Sequence, residues 1–228
     1  LTPTLAKHFG IADAAQTIPI QSLSLQVSGQ PAVESWTLQS LQLRLPETAM
    51  LSLPAPVKRS IPLRSIDAQA SYDKGRLVVP MLEIALDGPR LRANAEIADL
   101  PGAASGRLDL QMQDLTVPLV RAYWPPQMAA DAYEWVNTHL VAGTVQQATM
   151  QMSFGPDNGA TAVTALQLTI PLEGAVVDYL PPLPAVREAR AVVGLNLKTL
   201  TVDLQHALVD GMTISNGSVV IAGIDADN

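Results

Sequence analysis

The side chains that most often carry catalysis or bind metals are few in this sequence and widely separated. Its three histidines, His8, His139 and His206, have no carboxylate or second histidine at the spacing of a metal site. A zinc site needs several ligands that converge on one point. The chain has no cysteine, which excludes disulfides, thiolate metal sites and cysteine nucleophiles. We therefore predict neither a metal site nor a cofactor.

The motifs of the common enzyme classes are also missing. The sequence has no Gly-x-Ser-x-Gly nucleophile elbow, no Gly-x-x-x-x-Gly-Lys phosphate-binding loop and no dinucleotide-binding fingerprint. Asp157-Asn158-Gly159 is typical of a turn and lacks the ligand spacing of a calcium loop. These observations predict a non-enzymatic protein. A hydrolase that uses sparse carboxylates on a β scaffold is a minor alternative.

The composition restricts the partners that the chain can bind. Hydrophobic residues make up 48% of the chain and aromatic residues only 4%, so the apolar content is mostly aliphatic. No apolar run reaches the ~18 residues that a membrane-spanning helix needs, and we expect any membrane anchor to lie outside this segment. The net charge of -7 disfavours nucleic acid, because its phosphates are bound by basic surfaces.

Apolar and polar residues alternate through most of the chain, which is the pattern of strands with one apolar face. Leu41, Leu43 and Leu45, for example, alternate with polar residues. Four such segments between residues 66 and 113 are joined by short turns that contain glycine, which predicts an antiparallel meander. No alternation of strands with helices occurs, so a doubly wound α/β fold is not expected. Further strands are predicted at 145–154, 166–172, 193–197, 200–204, 212–215 and 219–221.

The one convincing helix is predicted near 127–140. Pro125 and Pro126 suit the start of a helix and not its interior, because proline fixes φ and lacks an N–H group. Asp131 in the first turn and His139 in the last turn match the helix dipole, and Gly143 is a candidate stop. Apolar residues recur at helical spacing, which predicts an amphipathic helix docked beside a sheet. They are Met128, Ala132, Trp135, Val136 and Leu140.

The apolar faces of the central strands are candidates for ligand binding as well as for packing. In a closed sandwich a second sheet would cover them, whereas an open, curled sheet would need an apolar ligand or partner. The periodicity alone fits both arrangements. The candidate residues on three neighbouring segments are Leu108, Leu110, Met112, Met150, Met152, Phe154, Leu166, Leu168 and Ile170.

Aromatic residues around the predicted helix have a structural role and carry a family resemblance. Tyr123, Trp124 and Trp135 are predicted to anchor the helix to the sheet. Tyr123-Trp124-Pro125-Pro126, the pair Trp135-Val136 and Gly143-Thr144-Val145 resemble the Tyr-Trp-Pro … Trp-(Ile/Val/Leu) … Gly-x-(Val/Ile) signature of AsmA-like envelope proteins of the YhdP type. A second matching stretch runs from Gly174 to Pro184, and the resemblance extends from Leu77 to Ile221.

The resemblance implies both a fold and a function. Such proteins are β-rich periplasmic chains, anchored in the inner membrane of Gram-negative bacteria. They are thought to carry phospholipid between the two membranes along a hydrophobic groove. The expected fold is a long, curved, largely antiparallel sheet that forms an open, taco-like groove with one docked helix. The alternative is an envelope scaffold with a closed β-sandwich core that binds protein partners.

Within that interpretation, residues 1–228 are one β-rich segment of a larger chain, with candidate sub-units 1–115 and 116–228 joined at the Val117–Leu140 helix region. The candidate residues on the apolar faces would line the groove. Lys58, Arg59 and Arg64 would either meet anionic headgroups or form a solvated loop. The implied partners are phospholipid and, through parts outside this segment, the inner and outer membranes; envelope proteins are further candidates.

Overall fold

The computed structural model describes residues 20–30, 35–52, 60–100, 104–124, 130–157, 160–180 and 182–223. The helices are α1 (Val117–Tyr123) and α2 (Ala130–His139). The strands are β1 (Ser22–Gln30), β2 (Ser35–Arg44), β3 (Met50–Ser52), β4 (Ser60–Asp73), β5 (Arg76–Leu86), β6 (Arg90–Ala98), β7 (Ser105–Thr116), β8 (Leu140–Asp157), β9 (Ala160–Val177), β10 (Val186–Asn196), β11 (Thr199–Val209), β12 (Met212–Ile214) and β13 (Gly217–Ala222).

All strands belong to one 13-stranded antiparallel sheet. Strands β1, β2 and β4 to β12 follow one another in chain order, while β3 pairs with β4 and β13 pairs with β11. Successive long strands are therefore neighbours, as the predicted meander requires, and no parallel crossover joins the described strands. The sheet is long and open, so the predicted fold class is confirmed.

Two lines of irregular pairing cross the sheet. A bulge bends its strand and increases its twist, so we expect these lines to bend the sheet. The line across β8 to β11 contains Gly174 at φ 60 and Glu188 at φ 50. The other line crosses β1 to β6, and its register shifts occur at Gln26/Val27, Leu38/Leu41, Gln69/Ser71 and Val79/Leu82.

The predicted amphipathic helix is present as α2, but its end was predicted at the wrong place. Gly143 does not stop the helix, because β8 begins at Leu140 directly after His139. Gly143 lies inside β8 at φ 148, where a Cβ atom would come within 3.1 Å of the Leu172 side chain on β9. Close approach of a neighbouring strand, and not helix termination, therefore explains this glycine. Pro125, Pro126 and Met128 lie outside the described residues.

Helix α1, which precedes α2 in the chain, is not predicted by the sequence. It follows β7 without a loop, with Thr116 as its N-cap and a proline in its first turn. Its β-branched Val117 and Val120 have lower helix propensity, so the local pattern gives no helix signal. Tertiary packing forms the helix instead: Val117 is only 2% exposed, and Val120 packs against buried residues of β7 and β8.

Burial is concentrated at one end of the strands, which we call the covered margin. Here lie the β5–β6 turn, both helices and the β9–β10 connection. Apart from Ala68, every buried hydrophobic residue that the structure describes lies along this margin. The residues form three clusters, or flank them: Leu45, Ala49 and Leu63; Leu115, Val117, Val145 and Ala148; and Ala175, Ala189, Ala191 and Ala207. The opposite strand ends form the open margin.

The alanine cluster of β9 to β11 should not tolerate larger side chains. Ala175 and Ala207 are both 0% exposed, so Ala207→Leu will overpack the cluster and destabilise the protein by about 1–3 kcal/mol. Urea unfolding followed by circular dichroism measures this change. Ala222→Leu, at an exposed position of β13, is the matched control and should be close to neutral. Equal stability of the two variants would contradict the packing described here.

Candidate functional site

One row of apolar side chains crosses the whole sheet. Directly paired residues of an antiparallel sheet point to the same face, so successive pairs trace one face across the strands. From Leu110 in β7, for example, the pairs run to Met150 in β8 and Leu168 in β9. We call the complete set the central row: Leu25, Leu41, Ala68, Leu82, Ala93, Leu110, Met150, Leu168, Leu195, Leu200 and Ile221.

The structure brings the sequence-predicted groove residues together on the face of the central row. Leu110, Met150 and Leu168 belong to that row. One row closer to the open margin, Met152 pairs with both Leu108 and Leu166.

The remaining groove candidates extend this face toward both margins. Phe154 lies at the open margin, where its ring covers Gly106; a Cβ atom on that glycine would be 2.9 Å from the Phe154 Cζ atom. Met112 and Ile170 lie toward the covered margin, against the buried cluster that includes Leu115. The nine candidates therefore form one continuous patch on β7, β8 and β9.

The apolar face extends beyond the patch that the sequence predicts. The central row continues through Leu82 in β5 and Leu195 in β10 to strands that were not assigned to the site. The signal that could have found them is the same alternation that assigned β7 to β9, combined with the meander order. Only the register of each pair was missing, and register depends on bulges that the sequence does not mark.

The apolar face is not sealed. Most of the central row is half-buried, and its ends are open, with Leu25 56% and Ile221 52% exposed. Within the described part of the chain, every strand belongs to the single sheet, so no second sheet packs on it. The closed-sandwich alternative is therefore wrong for these strands. A contiguous apolar surface of this extent needs an apolar ligand or partner.

The opposite face of the sheet is polar and carries the described ion pairs of neighbouring strands. Arg92 pairs with Glu83 at 3.2 Å, and Arg44 makes two hydrogen bonds to Asp67 at 2.9 and 3.1 Å. Such exposed pairs contribute little stability, but they keep charge away from the apolar face. One row of this face consists of Ser24, Gln42, Asp67, Glu83, Arg92, Gln111, Thr149, Thr169, Gly194 and Thr201, and it ends in the exposed Val220 of β13.

Polar contacts fasten the two helices to the covered margin. The Arg121 guanidinium of α1 donates to the carbonyl oxygens of Leu140, at 2.7 Å, and Val136, at 3.4 Å. These carbonyls lie at the end of α2, where a cation also matches the helix dipole. His139 Nδ1 lies 2.7 Å from the Asp178 carbonyl oxygen, and the Asp178 backbone N–H donates to the His139 carbonyl at 2.8 Å. The two sequence motifs therefore meet in the structure.

The three aromatic residues that were predicted as helix anchors have different surroundings. The Tyr123 hydroxyl donates to the Asp87 carbonyl oxygen at 3.2 Å, which ties α1 to the β5–β6 turn. The Trp124 ring packs edge-on against Tyr133 of α2. Trp135 remains 48% exposed and contacts the His139 ring. The first two residues thus connect elements, whereas Trp135 lies largely at the surface.

The open margin has an aromatic pair on the apolar face. The rings of Trp36 in β2 and Tyr72 in β4 are stacked, with centroids 5.9 Å apart. Leu77 pairs with Tyr72 and continues this edge of the face into β5, followed by Ile97 in β6. These four side chains are half-buried.

The histidines and the basic residues singled out in the sequence are far apart where the structure describes them. His139 takes part in the helix contacts, His206 lies in β11, and no group of three or more candidate metal ligands occurs in the described chain. His8, Lys58 and Arg59 lie outside the described residues, as do Asn158 and Gly159. Arg64, the third member of the predicted basic cluster, pairs with Asp87 at 3.0 Å.

Comparison with known proteins gives a match at the level of the protein family. Neither described helix is long or apolar enough to span a membrane. No curated protein and no solved structure gives a significant match. The family model described as YhdP protein matches residues 4–228, which includes both sequence motifs and the complete described sheet. The predicted family resemblance is confirmed: the chain belongs to the YhdP protein family.

Proposed function

We propose that this chain shields phospholipid acyl chains on the apolar face of its curved sheet, as a non-enzymatic segment of a larger protein. The observation that carries the proposal is the central row, which runs across the sheet without a polar or charged side chain. The larger protein would be periplasmic, anchored in the inner membrane of a Gram-negative bacterium, and would carry the lipid between the inner and outer membranes. Family membership supports this setting.

The dimensions of the face support an acyl chain as its occupant. Strands lie about 4.8 Å apart, so the central row spans roughly 48 Å from β1 to β13. The hydrocarbon core of a bilayer is ~30 Å thick and holds two chains end to end, so one chain needs about 15 Å. The row therefore has room for several chains in sequence. The flexible thioethers of Met150 and Met152 near its middle adapt to chains of different shape.

Shielding needs no catalytic group. Each methylene that leaves water gains about 0.8 kcal/mol, so an apolar surface is sufficient to hold the chains while headgroups stay in water. The polar face of the sheet and its ion pairs keep the outer surface hydrated. Direction and energy supply are then properties of the larger protein and its membranes.

The test is lipid analysis of the chain purified without detergent. We expect co-purified phospholipid at a stoichiometric level, measured by mass spectrometry of organic extracts after native size-exclusion chromatography. Delipidation with a mild detergent should make the protein bind an environment-sensitive apolar dye, which added phospholipid displaces. A monomeric chain that is free of lipid and binds neither dye nor phospholipid would contradict the proposal and favour a protein-binding scaffold.

A further inference from the structure

The two margins of the apolar face differ in a way that the proposed function does not use. At the covered margin, other segments pack over the apolar face. At the open margin, the described side chains of this face are only half-buried. The two ends of a phospholipid need different surroundings, because its acyl chains need apolar contact and its headgroup needs water. The asymmetry of the protein can therefore orient the lipid.

At the covered margin, two described segments lie on the apolar face. The connection around Leu45 and Ala49 packs on β4, with these residues 5% and 0% exposed. Helix α1 packs Val120 over β7 to β9 and places Leu119 above the β5–β6 turn, where a Cβ atom on Gly88 would be 3.1 Å from Leu119 Cδ1. A headgroup there would have to be buried among aliphatic side chains, which is costly without compensating hydrogen bonds.

At the open margin, the apolar face ends in the stacked Trp36 and Tyr72. Rings of this type combine an apolar body with a polar N–H or O–H group, and they concentrate where hydrocarbon meets water. The exposed turn residues Asp73 and Lys74 follow directly in the chain. Apolar face, amphipathic rings and charged turn thus succeed one another over a few residues, in the order of the parts of a phospholipid.

We propose that helix α1 and the connection around Leu45 and Ala49 close one side of the groove, so that bound phospholipid presents its headgroup at the open margin, which Trp36 and Tyr72 line on β2 and β4. The inference rests on the proposed function and adds the orientation of the lipid. Trp36 and Tyr72 are positioning residues for the glycerol and ester region, and α1 is the barrier that prevents the reverse orientation.

The experiment uses single thiols near the two opposite ends of β5, in a chain that has no cysteine of its own. L77C places the thiol at the open margin, and L119C places it in α1; both leucines are half-buried. The probe is a phosphatidylethanolamine with a maleimide on its headgroup, in phosphatidylcholine vesicles. A water-soluble maleimide corrects each rate for the accessibility of the thiol. I97C and A122C repeat the comparison if circular dichroism shows that a leucine variant is unfolded.

We expect the corrected rate at L77C to exceed that at L119C at least tenfold. Equal rates, or faster reaction at L119C, would overturn the assigned orientation. A second lipid, with a photoreactive diazirine at the end of an acyl chain, separates this failure from that of the proposed function. If the diazirine cross-links to β7–β9 but the two maleimide rates are equal, the orientation is refuted and the lipid groove is not. The lack of cross-links and of headgroup labelling at both positions refutes the lipid groove and, with it, the orientation.

Discussion

From the proposed function we expect that replacing Leu110 with aspartate abolishes lipid transfer and leaves the sheet folded. Leu110 lies in the centre of the central row, between Ala93 and Met150. A carboxylate there must lose water whenever an acyl chain passes. That loss costs several kcal/mol, and each ~1.4 kcal/mol is a tenfold change in affinity, so we expect binding to fall at least about a hundredfold. The measurement is transfer of a fluorescent phospholipid between vesicles.

The neighbouring residue provides a matched control. Gln111 is exposed and lies on the polar face, paired with Arg92 and Thr149. Gln111→Asp adds the same charge one residue away and should leave transfer unchanged. Because Leu110 is only half-buried on an open face, L110D should keep its circular dichroism spectrum. An unfolded L110D would assign Leu110 to a core, and equal loss of transfer in both variants would contradict a one-sided groove.

Replacing Arg121 with alanine will loosen both helices from the sheet. The side chain is half-buried and donates to the Leu140 and Val136 carbonyls, and hydrogen bonds from a charged donor contribute about 1.5–3 kcal/mol each. We expect amide hydrogen exchange in α1 and α2 to accelerate at least about tenfold, which corresponds to ~1.4 kcal/mol of local stability. Mass spectrometry of peptides covering residues 117–140 reports this change.

Where amide exchange accelerates distinguishes local loosening of the helices from destabilisation of the whole fold. Strands β4 to β6 contain neither of the two carbonyl groups to which Arg121 donates here, so their exchange should be unchanged. R121K keeps the charge but cannot reproduce the planar fork of the guanidinium, and should give an intermediate rate. Uniform acceleration across the sheet would mean that Arg121 supports the whole fold and that the helices are not separately fastened.

The sheet was predictable because its signal is local. A strand with one apolar face alternates along the chain, and Leu108, Leu110 and Met112 alternate whether or not their partners are known. Short turns then force successive strands to be neighbours. The same reasoning placed the groove candidates on one face, since alternation fixes which residues share a side of each strand.

At the covered margin, helix α1 and the role of Gly143 were not predictable, because their signals are tertiary. Helix α1 contains β-branched residues that fit a strand equally well, and it forms because Val117 and Val120 find buried partners. Gly143 has the chemistry of a helix stop, yet its role depends on a strand that follows about thirty residues later, a separation that local rules do not cover.

Pro80 is a further position that local rules do not explain. It lies inside β5 at a register shift, where the missing N–H removes no regular ladder bond.

The repetition of the central row has a kinetic consequence. A bound molecule that moves along the row by one strand, about 4.8 Å, exchanges contacts with one aliphatic side chain for contacts with the next. Start and end positions of such a step are nearly equal in free energy, and no specific hydrogen bond has to break between them. A lipid carried as proposed would therefore move along the sheet by one-dimensional diffusion over small barriers. The direction of net flow would follow the difference in its chemical potential between the two ends, because the repeating row favours neither direction.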